Sequence, residues 1–244
     1  MNLILPLLLF VLYSIPFTSL MQATISLKYK KYYILTKTIN SIAFITVSIF
    51  CAYYGDNITT LVSLLPALLL CFIGDVVLGF YNAANERDVK ADELSHGETC
   101  PKVTVKPALF IMGLLTFALG HVCFIYAFSK MQKLTWVDLV FPLLAIFITI
   151  GLTRLDGMNT GKLTILIVAY SFMVALLFSK GMHFVLAQLS VQNLLLSTGV
   201  TLFLISDTFI LFLYFYEKKH KAIHIINLAT YYFGMFFIGL SLLY

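Results

Sequence analysis

Charge is what this chain has least of. Only 11% of its 244 residues are Asp, Glu, Lys or Arg, against 61% hydrophobic, and the mean hydropathy of +0.96 lies far outside the range of water-soluble domains. A polar coat around a soluble core is excluded. Cysteine is sparse too: Cys51, Cys71 and Cys123 lie in apolar runs and Cys100 stands alone in a polar stretch, so no disulfide framework or CxxC metal pair is present. Glycine-rich phosphate cradles, GxSxG elbows and HExxH helices are also missing, which removes the ordinary serine-hydrolase and zinc-protease mechanisms. The first apolar run lacks the basic start of a secretory leader, since Met1-Asn2 carries no charge and the run continues past Pro16 to Ile25. It is kept as a helix.

Long apolar runs are what the chain has in abundance. A membrane span needs about 20 mostly apolar residues, and eight fit, at roughly 3–25, 33–54, 59–81, 107–128, 136–152, 161–178, 191–216 and 223–244. The expected fold class is all-α, a polytopic membrane helical bundle of eight transmembrane helices forming a single integral membrane domain over residues 1–244. A membrane barrel would alternate apolar and polar residues along each strand, and these runs do not. The largest polar stretch, Asn82 to Lys106, mixes both charge signs and reads as a cytoplasmic loop, 82–106.

The formal charge of +5 reads as topology rather than as a nucleic-acid footprint, because the basic residues fall on alternate connections. Lys28, Lys30, Lys31, Lys37, Arg87, Lys90, Lys102, Lys106, Arg154, Lys162, Lys218, Lys219 and Lys221 share one side, 13 of the 16 basic residues, against Lys130, Lys133 and Lys180 opposite. The positive-inside rule makes the first side cytoplasmic and points both termini away from it. The expected location is multi-pass in a membrane, the inner membrane in a bacterial cell. The segments KYKKYY and KKHK are orientation signals and contacts for anionic headgroups of the bilayer. Asn57-Ile58-Thr59 matches a glycosylation acceptor, in a loop too short and too near the membrane to serve.

Against this background the polar residues inside the runs stand out. Asp75 and Asp207 lie in LCFIGDVVLGF and LFLISDTFILF, where a carboxylate costs at least ~2.5–3.5 kcal/mol and is kept for a polar cavity, a partner or a reaction. At a rise of about 1.5 Å per residue, Asp75, Asp207, Lys37, Tyr170, Tyr231 and Tyr232 converge on a layer some 6–14 Å below the cytoplasmic surface. His121 lies deeper and is expected at the far end of any cavity. Small residues beside the polar ones, Gly74, Gly120 and Ser206, with Gly199 about two turns before Asp207, suit helices packed around a shared interior site.

Two carboxylates in one partly dehydrated cavity can hold different protonation states, one as proton donor and the other as water-activating base. That division suits hydrolysis through an oxocarbenium-like cation. Lys37 would bias the aspartate it approaches toward the ionised form, and Tyr231 and Tyr232 would orient water or a substrate oxygen. The plainer alternatives are an Asp–Lys or Asp–Tyr pair that only fixes packing, a Lys37 that snorkels to the headgroups, a His121 bonded for packing, and tyrosines of an interfacial belt.

Several of these residues also carry a resemblance. Gly74-Asp75 followed by an aliphatic run, Ala118-Leu119-Gly120-His121 followed by an aromatic stretch, Leu204-Ile205-Ser206-Asp207 and Thr230-Tyr231-Tyr232 occur in an order similar to that of the YhhN-like lysoplasmalogenase family. Thr36-Lys37 and Tyr170 resemble further positions of it, and the likeness runs from about residue 33 to the C-terminus. It implies a membrane hydrolase that cleaves the vinyl-ether bond of lysoplasmalogens, giving a fatty aldehyde and a glycerophospho-head group, with a lysophospholipid as substrate and no metal or other cofactor. Asp75 and Asp207 are then the catalytic pair, supported by Lys37, His121, Tyr170, Ser206, Tyr231 and Tyr232. The chain departs from the family pattern at Thr38, where a proline is usual, and at Tyr214, Phe215 and Tyr216, where an Asn-Arg pair is common.

Two other classes use buried acids. A proton-coupled transporter relays protons through them, but no matching pair of Gly/Pro-interrupted helices is seen. An intramembrane aspartyl protease pairs them across two helices; here Phe72 replaces the first glycine of a GxGD motif, and the Pro-Ala-Leu triplets at 66–68 and 107–109 precede Asp207 instead of following it.

Overall fold

The computed structural model describes residues 4–95, 107–217 and 221–244. Its helices are α1 (Ile4–Ile25), α2 (Tyr33–Tyr54), α3 (Ile58–Ser95), α4 (Pro107–Met131), α5 (Val140–Leu152), α6 (Thr164–Ala187), α7 (Val191–Phe215) and α8 (Lys221–Leu240). Short 3-10 turns precede α2, α5 and α6 and follow α8. Among the described residues there is no strand, only one isolated bridge between Met158 and Tyr216.

Among the described residues seven helices are long and apolar enough to cross a membrane, and they mark an integral membrane protein. The expected fifth span, 136–152, divides into the turn Trp136–Leu139 and the 13-residue α5. At 1.5 Å per residue α5 reaches only about 20 Å, short of a hydrocarbon core of about 30 Å. The expected loop from Asn82 is corrected in its first half: α3 runs on to Ser95, because no glycine or proline interrupts residues 81–95 and Ala, Glu and Arg there favour helix. Residues 96–106 of that call, with Cys100, lie outside the described residues.

The outside of the bundle is apolar, with Leu7 65%, Phe147 72% and Ile165 84% exposed, while Lys37, Asp75, His121, Asp138, Lys180 and Asp207 are buried. That arrangement suits a lipid solvent, where apolar surface costs nothing and polar groups must find partners inside. Helix α8 is the axis, packed on α1, α2 and α7. It meets α7 backbone to backbone at Gly234 and Gly199, where a Cβ on Gly199 would lie 2.8 Å from the Gly234 carbonyl oxygen. Asn227 of α8 and Ser206 of α7 clamp the same crossing: Asn227 Nδ2 donates to the Ser206 carbonyl at 2.9 Å and Ser206 Oγ to the Asn227 carbonyl at 3.1 Å.

The ends of the bundle are tied down. Asn57 Nδ2 donates to Gly55 O and Leu242 O, each at 3.1 Å, fastening the C-terminus to the α2–α3 turn. Helix α5 packs closely against α6 and the turn before it. Beyond its far end the chain hydrogen-bonds to the end of α7, with Asn159 N donating to Phe215 O at 2.8 Å and Glu217 N to Gly157 O at 2.9 Å. Held at both ends, α5 stands off α7 in the middle and leaves a gap.

Candidate active site

Asp75 projects from α3 beside Gly74, whose missing side chain admits the Phe117 ring; a Cβ there would lie 2.7 Å from it. Ser41 Oγ donates to Asp75 Oδ2 at 2.6 Å and Tyr231 Oη to the same oxygen at 2.9 Å. Lys37 Nζ lies 3.2 Å from Oδ1. Lys37 is only 5% exposed, so it does not snorkel; it turns inward and neutralises a carboxylate. Tyr232 sits one layer back: its hydroxyl donates to the Lys37 carbonyl at 3.2 Å and lies 3.4 Å from Ser41 Oγ.

Asp207 on α7 has a different shell. Tyr170 Oη of α6 donates to Oδ2 at 2.8 Å, and His121 Nε2 of α4 lies 3.2 Å from the same oxygen. His121 therefore stands against Asp207 rather than at a remote end of a cavity, because α4 leans onto α3 at Gly120, where a Cβ would meet Cys71 Sγ at 3.2 Å. Its Nδ1 is 2.7 Å from the Phe117 carbonyl, an oxygen that can only accept, so Nδ1 carries a hydrogen. Nε2 has no aligned hydrogen-bond partner. The short distance brings it to Asp207 as an ion-pair neighbour, but off the line that a hydrogen bond needs.

Two cavities reach these side chains, and a third adjoins the smaller of them. The smallest, about 20 Å³, is lined by both Asp75 and Asp207, with Lys37, Phe117, Ser206 and Tyr231; it has room for about one water molecule. The second, about 180 Å³, is the gap between α5 and α7, apolar apart from a few hydroxyls and Asp207. Asp207 and Ile210 line both. The third, about 350 Å³, opens at the lysine-rich end beside Lys30, Lys31 and His224, and shares Tyr33, Asn82 and His224 with the smallest. An apolar slot, a water-sized polar chamber and a basic basin thus lie in series, with the two carboxylates at the middle.

Of the expected supporting residues, Lys37, Tyr170, His121 and Tyr231 reach an aspartate, Tyr232 reaches Lys37, and Ser206 spends its hydroxyl on Asn227 while lining the chamber. The structure adds residues that the sequence reading passed over. Ser41 bonds Asp75 directly, and it lies four residues after Lys37, on the same helix face. Asn227 lies four before Tyr231 by the same rule. Tyr214, at one of the departures from the family pattern, donates to Asn82 Oδ1 at 3.0 Å, and both line the chamber. Among the described residues no group of three or more His, Cys, Asp or Glu side chains is arranged to hold a metal ion.

Bundle and chamber define an integral membrane protein with two carboxylates facing one interior cavity. The model of the YhhN family matches residues 32–242, from the start of α2 to the last turn, and the chain belongs to that family. No curated protein and no solved structure matches the chain.

Proposed function

We propose that this protein is a membrane-embedded hydrolase that cleaves the vinyl-ether bond of a lysoplasmalogen, with Asp207 as proton donor and Asp75 as base. The observation that supports this most is the water-sized chamber lined by both carboxylates, with Asp207 and Ile210 also lining an apolar slot of about 180 Å³ beside it. Neither aspartate is sealed into packing.

We read the roles from the order of the cavities. In R–CH=CH–O–R′ the carbon to be protonated lies on the chain side, and Asp207 is the carboxyl that lines the chain slot. Its proton goes to that carbon, and the neighbouring carbon becomes an oxocarbenium ion conjugated to the ether oxygen. Asp75, fixed by Ser41, Tyr231 and Lys37, faces that cation with negative charge and takes a proton from the water that adds to it. The resulting hemiacetal collapses: its hydroxyl proton passes to Asp207, Asp75 gives its proton to the glycerol oxygen as the C–O bond breaks, and the aldehyde leaves. One water is consumed, and the proton returned to Asp207 restores the pair. His121 Nε2, against Asp207, is placed to hold that proton in reserve.

In this reading α5 is a short eighth span, the lysine-rich end faces the cytoplasm, and both termini face away from it. The purified protein is expected to release fatty aldehyde from a 1-alkenyl lysophospholipid and none from its 1-alkyl counterpart, which cannot form the cation by protonation. Release of neither product under conditions where the lipid binds removes the hydrolase reading; movement of intact lipid across a liposome membrane would replace it with transport.

A further inference from the structure

The slot between α5 and α7 is open along one edge. At the lysine-rich end it is tied by Asn159 N donating to Phe215 O at 2.8 Å and Glu217 N to Gly157 O at 2.9 Å, and Phe215 itself lines the slot. At the other end the Phe141 ring packs on Phe178 with centroids 4.8 Å apart, next to the turn whose Asp138 is held by Lys180 and His183 of α6. The back wall belongs to α4 and α6, where Phe110, Leu114, Ile167 and Val174 are buried. Among the described residues that line the slot, Ile148 of α5 and Thr208 of α7 alone are exposed. Ile148 lies four residues before the end of α5 and Thr208 seven before the end of α7. At about 1.5 Å per residue they therefore stand within one turn of each other in depth, measured from helix ends that the pairing at Gly157 and Asn159 joins. The edge has the character of hydrocarbon. Thr208 Oγ1 donates to Leu204 O at 2.9 Å and Ser171 Oγ to Val168 O at 2.8 Å, so both hydroxyls are spent on their own helices, and the exposed Leu144, Phe147 and Ile205 are the outer neighbours.

We propose that this edge is a lateral portal, through which a hydrocarbon chain passes sideways from the surrounding bilayer, between Ile148 and Thr208, to reach Asp207. The occupant follows from position. The outside of the bundle is apolar, so what lies against Ile148 and Thr208 in a membrane is lipid chain rather than water. A chain that moves from the bilayer into the slot stays in an apolar medium throughout. Entry at either end would instead break the pairing at Gly157 and Asn159 or the hold on Asp138. The edge also coincides with the less packed side of α5, which rests on α6 and on the turn before it. The proposal rests on the hydrolase reading for what becomes of the chain at Asp207, but not for the route. On that reading the aldehyde leaves by the same edge, into the bilayer and without crossing water.

Fluorescence quenching of the full-length protein in phosphatidylcholine vesicles tests the route without any turnover. The chain has one tryptophan, Trp136. Trp136→Phe removes it; Phe141→Trp then places a reporter inside the slot, and Phe147→Trp places one on the lipid-facing side of α5. The probe is a saturated single-chain alkylglycerol brominated in mid-chain and dissolved in the bilayer, since bromine quenches a tryptophan that it touches. Quenching of the slot reporter is expected to saturate at a probe fraction where the surface reporter is still quenched only in proportion to the probe. Ile148→Phe with Thr208→Phe narrows the edge and is expected to raise the half-quenching fraction of the slot reporter about tenfold, the scale of overfilling a packed gap, with the surface reporter unchanged. Ile148→Ala with Thr208→Ala widens it and should lower that fraction. Slot quenching no stronger than surface quenching overturns the portal. So does a half-quenching fraction that neither pair of substitutions moves, since the chain would then enter elsewhere. A surface reporter that shifts along with the slot reporter also overturns it, because the substitutions would then act through the fold. If the quenching pattern holds but no aldehyde is released from an alkenyl lipid, the hydrolase reading fails and the portal stands; aldehyde release without the pattern leaves the hydrolase and removes the portal.

Discussion

Two acidic clusters are buried in this bundle at opposite ends, built from the same residue types, and they have opposite characters. At the far end from the lysines, Asp138 accepts from Thr135 N at 2.7 Å and from Thr135 Oγ1 at 3.1 Å, closing a capping box on the turn before α5. His183 Nδ1 lies 2.8 Å from its Oδ1 and Lys180 Nζ 3.5 Å from Oδ2. Lys180 also donates to the Lys133 carbonyl at 2.8 Å. Asp138 lines none of the three cavities and has its oxygens filled by partners. It is a clasp, holding the α4–α5 connection to α6 and so keeping α5 in place as the outer wall of the apolar slot. Asp207 has a single aligned donor, an imidazole held slightly out of line, and a cavity on each of two sides. A buried carboxylate with filled valences holds structure together, and one that faces empty, wettable space is free to react.

The comparison is broken most sharply by amide substitutions. Asp207→Asn and Asp75→Asn are each expected to cut aldehyde release about 10²–10⁴-fold, the usual weight of a general acid or base; Asp138→Asn should leave the rate of the folded enzyme close to native. Because Asp75→Asn leaves the Lys37 ammonium facing an amide, the paired variant with Lys37→Met separates lost chemistry from lost stability, and it should be folded and inactive. Rates near native in either aspartate variant would place both clusters in the same structural class.

Stability should respond in the reverse order. Asp138→Ala strands a fully buried Lys180 and is expected to cost about 3–5 kcal/mol, read as a lowered melting temperature in detergent; Lys180→Met added to it should recover most of the loss. The positioning residues come next. Tyr170→Phe and His121→Gln are each expected to lower kcat about tenfold, the worth of one hydrogen bond or charge contact to a reacting carboxyl, with little change in KM. Loss of KM alone would mean that they shape the slot rather than hold the acid. The smallest effect is expected from Ala145→Phe, in the wall of the slot, which should raise KM for long-chain substrates and spare short ones.

The asymmetry between the clusters also explains what could be read from the sequence. Asp75, Asp207 and Lys37 were legible because charge in the middle of an apolar run is expensive and so carries information. Tyr170 and Tyr231 followed from depth and from family resemblance. Ser41 is not singled out by sequence, since a membrane serine is cheap and usually bonds its own helix, although its spacing of four from Lys37 puts it on the helix face that meets Asp75. Asp138 lies near the start of an apolar run, where a carboxylate looks like a solvated end; only the pattern Thr135-x-x-Asp138 hinted at a cap. Lys180 was counted among the residues facing the far side, yet it is fully buried, because its partners come from a turn 42 to 47 positions earlier, which no local pattern joins to it. The length of α3 was hidden for a related reason: charged residues beyond the membrane edge look like a loop, while their helix propensity carries the backbone on.

The most direct measurement follows labelled solvent into the products of one turnover on an alkenyl lysophospholipid. In D2O the aldehyde should carry one deuterium at carbon 2, delivered to a single face from Asp207, and in water enriched in 18O the released glycerophospho-alcohol should carry no label, because water adds on the chain side of the ether oxygen. An aldehyde without deuterium, or 18O in the glycerol hydroxyl, would contradict proton delivery to the chain and leave the paired carboxylates without this reaction.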